Sequence, residues 1–147
     1  MKKLAALLCV MMLCLAGIAA WAEEANADKG GDVMQMMIGD TPVAVAWEDN
    51  AAVEALKALA EESLTVEMSM YGGFEQVGAI GEALPRDDRQ TTTACGDIVL
   101  YSGDHLVVFY GSNAWAYTRL GHITDQTPAH MKELLGNGDV TITLSMD

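Results

Sequence analysis

The chain has 147 residues, with 8 Lys and Arg against 21 Asp and Glu and a formal net charge of −13. That balance argues against nucleic acid as a partner, because binding it means neutralising phosphates with basic side chains. It argues equally against adhesion to an anionic membrane surface.

The first 22 residues are read as a leader. Met1-Lys2-Lys3 is a basic start, Leu4 to Ala20 is apolar and uncharged, and Ala20-Trp21-Ala22 fits the small-x-small pattern of signal peptidase. We expect cleavage after Ala22 and export to the periplasm or the medium, with no membrane association afterwards. Ala25-Asn26-Ala27 is a second, more distant cleavage pattern. An uncleaved anchor helix is the alternative, since the apolar run is nearly long enough to span a bilayer. Cys9 and Cys14 lie too far inside that run for a lipid-attachment site. Cleavage removes Lys2 and Lys3, so 6 basic residues would face all 21 acids, and Cys95 would be the one cysteine left. No internal disulfide can then form. Cys95 is read as a small residue at a strand start, with pairing between molecules or nucleophilic chemistry as the alternatives.

About 125 residues remain, enough for one core and not two. Residues 23–32 are acidic and lack hydrophobic periodicity, hence a spacer, and the domain is expected over 33–147. Val33 to Ile38 and Val43 to Trp47 flank Gly39-Asp40-Thr41-Pro42, which predicts a hairpin. Asp49-Asn50 offers an N-cap to a helix from Ala51 to about Glu62, with Val53, Leu56, Leu59 and Ala60 on one side. Leu64, Val66, Met68 and Met70 alternate with polar neighbours as a half-buried strand does. Tyr71-Gly72-Gly73-Phe74 breaks it, and Glu75 to Gln90 is poorly patterned, a property often found in functional segments.

From Cys95 to Ile123 three apolar runs are punctuated by Ser102-Gly103-Asp104 and Gly111-Ser112-Asn113. That is hairpin grammar and predicts a meander. Leu106 to Tyr110 shows no polar alternation, so this strand is expected to be covered on both faces. Thr127 caps a second helix with Pro128 at its first position and Gly136 at its end. Val140, Ile142, Leu144 and Met146 give a terminal strand. These elements predict a mainly β fold: a closed antiparallel barrel of about eight strands with two short helices.

Residues 73–101 (GFEQVGAIGEALPRDDRQTTTACGDIVLY) and 106–123 (LVVFYGSNAWAYTRLGHI) resemble bacterial proteins called cyclophilin-like fold proteins. Tyr71-Gly72-Gly73-Phe74-Glu75, Thr91-Thr92-Thr93, Gly96-Asp97-Ile98 and Tyr117-Thr118-Arg119-Leu120-Gly121 carry the resemblance. Gln76 departs from it, relatives commonly having Lys there. The resemblance implies a cyclophilin-like barrel and assigns no particular reaction. Members occur alone or beside flavodoxin-like domains, so a flavodoxin-like redox partner is one expectation. Cyclophilins proper are peptidyl-prolyl isomerases that use an Arg in a Phe-His-Arg-like motif beside a Gln and an aromatic wall. No such string exists here, and Arg86, Arg89 and Arg119 do not match it by position. A divergent isomerase is therefore an alternative and not the main reading.

Other chemistry finds little support. His105, His122 and His130 fall on different elements without paired spacing, so no metal site is expected. Gly78 to Gly81 lacks the strand–turn–helix setting of a phosphate loop, Ser102, Ser112 and Ser145 lack a nucleophile elbow, and no cofactor motif is present. What remains is a recognition surface for an extended peptide or a small molecule. Tyr71, Phe74, Glu75, Arg86, Gln90, Thr92, Asn113, Trp115 and Arg119 are its candidate contacts, because aromatics beside Arg and amide groups suit a binding groove. The competing reading is that Trp115 and Tyr117 pack, Arg119 pairs with an acid, and Asn113 makes a turn.

Overall fold

The computed structural model describes residues 33–147; the leader and spacer expected over 1–22 and 23–32 lie outside the described residues. Alternation sets the first sheet. In β1 (Met34–Ile38) Met34, Met36 and Ile38 are buried while Gln35 and Met37 face out. β1 pairs antiparallel with β11 (Thr141–Met146) and with β2 (Thr41–Val43), and β11 pairs with β4 (Leu64–Glu67). The strand order is β2-β1-β11-β4. Pro42 lies within β2 and not in the expected turn, which contracts to Gly39 and Asp40 between paired Ile38 and Thr41. β2 is an edge strand, so the missing Pro42 N–H breaks no ladder.

The second sheet runs β3 (Val45–Trp47), β10 (Ala114–Ile123), β8 (Asp97–Tyr101), β9 (His105–Phe109), β6 (Glu75–Ala79), β5 (Ser69–Tyr71), with β7 (Arg89–Thr92) added to β10. β8 and β9 form the expected hairpin, but the predicted meander does not continue. β10 pairs with β8, not with β9, because the other edge of β9 is taken by β6. Tyr110 and Gly111, which lead out of β9, donate their N–H groups to Phe74 O at 3.0 and 2.9 Å.

The eleven short strands of the described residues reduce to nine, eight of them in the main ladder and the ninth, β7, added to β10. β2 and β3 are one strand bent at Ala44, and β4 and β5 are one strand bent at Met68, each passing from the first sheet to the second. Such sheet-switching strands make the corners of orthogonally packed sheets. Followed through both corners, the order closes as an eight-membered ring, although the ladder itself breaks at each corner. The corner residues stay satisfied. Ala44 N–H donates to Asp125 Oδ1 at 3.0 Å, and Met68 N–H donates to Val140 O at 2.8 Å. At the second corner β6 crosses β4 so closely that a Cβ on Gly78 would strike Glu67 O and lie 2.8 Å from Val66 Cγ1. Only glycine fits that seam.

Inside lies one core, including Met36, Leu56, Ile98, Leu100, Leu106, Val108, Leu120, Ile142 and Leu144. α1 (Ala51–Ala60) packs on β11 and β10 through Val53, Leu56 and Ala60. Its cap Asn50 accepts the Val53 N–H at 2.9 Å and donates Nδ2 to Arg119 O at 2.8 Å, fixing helix to strand. α2 (Pro128–Leu135) is capped by Thr127 and buries Met131 and Leu135. Gln76 points inward and ties this helix down: its Nε2 donates to Leu135 O at 2.8 Å and Gly138 O at 2.7 Å. It satisfies carbonyls that a helix end otherwise leaves orphaned.

β9 is covered on both faces, as its unbroken apolar run predicts. Leu106 and Val108 enter the main core, whereas Val107 and Phe109 join Val99 and Tyr117 in a second cluster on the opposite face of the sheet.

Candidate functional site

That outer cluster is the base of a pocket. The β5–β6 hairpin turns through Gly72 and Gly73, whose φ values are +65° and +74°, and this tight turn sets Tyr71 directly opposite Glu75. Val77 of β6 pairs with Val107 of β9, and Tyr101 pairs with His105 across the β8–β9 hairpin. From β10 come Trp115 and Tyr117, and from its approach Asn113. Together these nine residues line a pocket of about 450 Å³, within the ~300–1,000 Å³ of small-ligand sites. Its aromatic walls are mutually braced. Phe109–Tyr117 and Tyr101–Tyr117 meet edge to face with centroids 5.8 and 6.3 Å apart, and Tyr71 meets Phe74 likewise at 6.1 Å. Asn113 is fixed by Thr93, which receives its N–H and donates to its carbonyl, and its Nδ2 donates to the Tyr117 hydroxyl at 2.9 Å.

Glu75 is the anomalous group of this pocket. It is 7% exposed, and its Oε2 is buried without a hydrogen-bond partner among the described residues. Burial pushes its carboxyl up from 4.5 to about 7, since a low-dielectric site disfavours the charged form. Tyr117 is pushed up as well, by burial and by the charges of Glu75 and Tyr101, against the lowering effect of the Asn113 hydrogen bond. A carboxyl that titrates near neutrality in an aromatic-lined cleft is what functional sites repeatedly contain.

A second cleft of about 380 Å³ opens beside α1. Glu48, Asn50, Arg86, Asp87, Arg89, Gln90, Thr118 and Arg119 are among its lining residues, and Tyr117 borders both clefts. Its guanidiniums are matched one by one. Arg86 pairs with Asp88, Arg89 with Asp87 at 3.0 Å, and Arg119 with Asp97 at 3.3 Å and Glu48 at 3.8 Å. Asp97 is almost fully buried and also accepts the Ala94 N–H at 2.8 Å, with His122 Nδ1 2.8 Å away. Burial raises the Asp88 carboxyl, but hydrogen bonds from Arg86 and Thr118 and the Arg86 charge outweigh it and leave it lowered.

The nine predicted contacts thus divide. Tyr71, Glu75, Asn113 and Trp115 come together in the aromatic pocket, whereas Arg86, Gln90 and Arg119 line the second cleft. Phe74 supports Tyr71 from beneath, and Thr92 pairs with Ala114; neither lines a cleft. Val77, Tyr101, His105 and Val107 escaped the sequence reading. The Ser102-Gly103-Asp104 turn held the clue for two of them, because a hairpin through it pairs Tyr101 with His105. Cys95 packs against the main core, and burial followed by the Asp97 charge pushes its thiol up, so the nucleophilic thiolate is disfavoured. Among the described residues, no group of three or more His, Cys, Asp or Glu side chains is placed to hold a metal ion.

No match is found for the chain among curated proteins or among solved structures. The family model described as the cyclophilin-like family matches residues 36–145, nearly all of the described domain. The chain therefore belongs to the cyclophilin-like family.

Proposed function

We propose that this chain is an exported binding module that takes a small molecule or part of an extended peptide in the aromatic pocket on the outer face of its larger sheet. The observation that carries the reading is Glu75, an acid whose Oε2 is buried without a partner among the described residues, in a pocket whose walls include Tyr71, Tyr101, Trp115 and Tyr117. Burying a polar group is costly unless something bonds to it, and a ligand that donates to Glu75 would offset that cost. Trp115 and Tyr71 are the most exposed large hydrophobic side chains of the described residues, at 58% and 62%. Exposed aromatics at a cleft mouth are typical binding anchors.

The isomerase alternative requires a guanidinium against the aromatic wall to polarise the prolyl amide. Arg86, Arg89 and Arg119 line the other cleft and are held there by acids. A protease-coupled assay on a Xaa-Pro peptide is therefore expected to show no acceleration.

The binding reading is tested by titrating peptide and fragment libraries into the labelled chain and following the Trp115 indole and Asn113 amide resonances. Shifts confined to the pocket residues and lost in Trp115→Ala support it. Shifts that cluster on Arg86 and Arg119 and persist in Trp115→Ala overturn it.

A further inference from the structure

The composition of the aromatic pocket is one-sided. Its hydrogen-bonding and charged groups are the Glu75 carboxyl, the Tyr71, Tyr101 and Tyr117 hydroxyls, the Asn113 amide, the Trp115 indole and His105. Among the described residues, no Lys or Arg lines it. His105, the one basic group, has Nδ1 2.6 Å from Asp104 Oδ1, on a residue of the adjoining turn. His105 also stands at the far end. Along β6 and β9 the ladder runs Glu75↔Phe109, Val77↔Val107, Ala79↔His105, so two strand steps of about 7 Å each separate Glu75 from His105. An anionic ligand would meet the Glu75 charge with nothing to offset it. A neutral one, though able to donate a hydrogen bond to the carboxylate, would leave its buried charge unbalanced. A cation does neither, and the Tyr and Trp faces add cation–π attraction in a partly desolvated site. The chain's net charge of −13 draws cations towards it at long range.

Between Glu75 and the far end the floor is apolar, made by Val77 and Val107. We propose that the pocket binds a primary alkylammonium group, its charge set against Glu75 among the Tyr71, Tyr117 and Trp115 rings and its alkyl stem laid over Val77 and Val107. The Glu75-to-Val77 step is close to the reach of an extended four-carbon stem, so a lysine side chain of a peptide and a free alkylamine present the same chemistry. This inference rests on the pocket being a binding site and names what it takes.

The experiment titrates the labelled chain at pH 8 with n-butylammonium chloride, n-butanol, a short lysine peptide and the same peptide acetylated at Nζ, following the Trp115 and Asn113 resonances. The charged member of each pair is expected to bind at least tenfold more tightly than its neutral counterpart, and Glu75→Gln to erase that difference while n-butanol still binds. A lysine peptide tighter than butylammonium identifies the peptide as the source, and the reverse order a free amine. Because only the ionised carboxylate pairs with the cation, apparent affinity in the unmodified chain is expected to fall about 30-fold from pH 8 to pH 5.5. Equal binding of charged and neutral probes, or a flat profile over that range, overturns the alkylammonium assignment while leaving the pocket a binding site. No response to any of the four probes counts against the assignment and the binding reading together. The pH profile needs no variant, so the test stands even if Glu75→Gln folds poorly.

Discussion

The two clefts that meet at Tyr117 are made from similar materials and differ in one respect. In the arginine-lined cleft every guanidinium has a carboxylate: Arg86 has Asp88, Arg89 has Asp87, and Arg119 has Asp97 and Glu48. Thr118 knits them further, its hydroxyl donating to Asp88 and receiving the Asp87 N–H at 2.8 Å. In the aromatic pocket the Oε2 of Glu75 is buried with no partner among the described residues. A satisfied network holds backbone together, whereas an unsatisfied group spends stability and so points to an external partner. On the proposed reading, the abundance of charge in a cleft is a poorer guide to binding than the state of its hydrogen bonds.

The sharpest way to break this comparison is to cut the matched network. Asp97→Ala removes the acceptor of the Ala94 N–H and leaves Arg119 and His122 without their buried partner. We expect a loss of about 2–4 kcal/mol in urea unfolding, with ligand-induced shifts at Trp115 unchanged. Loss of binding without loss of stability would mean that the arginine cleft is the functional one.

Next in size, Glu75→Gln sharpens the opposite case. The folded chain keeps the Glu75 proton up to about pH 7, while the unfolded chain releases it near 4.5. The folded state thus binds the extra proton between those values, and its stability falls as pH rises through that window and levels off above it. The full shift is discounted because the pocket opens to solvent, leaving about 2 kcal/mol. Glu75→Gln should remove this decline, matching the unmodified chain at pH 4 and exceeding it at pH 8. Thermal unfolding across pH checks both.

Trp115→Ala should cost about 1 kcal/mol or less in stability, since its ring is mostly exposed, yet weaken pocket binding about tenfold. The smallest effect is expected of Arg86→Ala. Its pair with Asp88 lies at the surface, where such pairs contribute about 0–1 kcal/mol, and binding in the aromatic pocket should not change.

Much of the fold was legible because its signals are local. Asn50 before Ala51 and Thr127 before Pro128 cap the two helices as read, and the alternation of Leu64 to Tyr71 does form one strand, bent at Met68. The sheet order was not legible. Whether β10 returns beside β9 or β8 depends on which strand already occupies the edge, and that strand is β6, whose residues hide it. Glu75 and Val77 face the pocket, Gln76 enters the core to hold α2, and Gly78 is bare for the seam, so no apolar period survives. The same masking explains why the candidate contacts divide between two clefts. Tyr71, Glu75, Asn113 and Trp115 were identifiable by type, but their separation from Arg86, Gln90 and Arg119 follows from pairings distant in sequence. Arginine and aromatic residues near one another along a chain need not face the same space.

The most direct test follows the Glu75 carboxyl itself by carbon-detected resonance through a pH titration, first with the chain alone and then with saturating n-butylammonium. A midpoint near 7 in the empty pocket that falls by a unit or more with the amine is the predicted result, since a bound cation favours the charged carboxylate. A midpoint near 4.5 in the empty pocket, indifferent to the amine, would contradict the account.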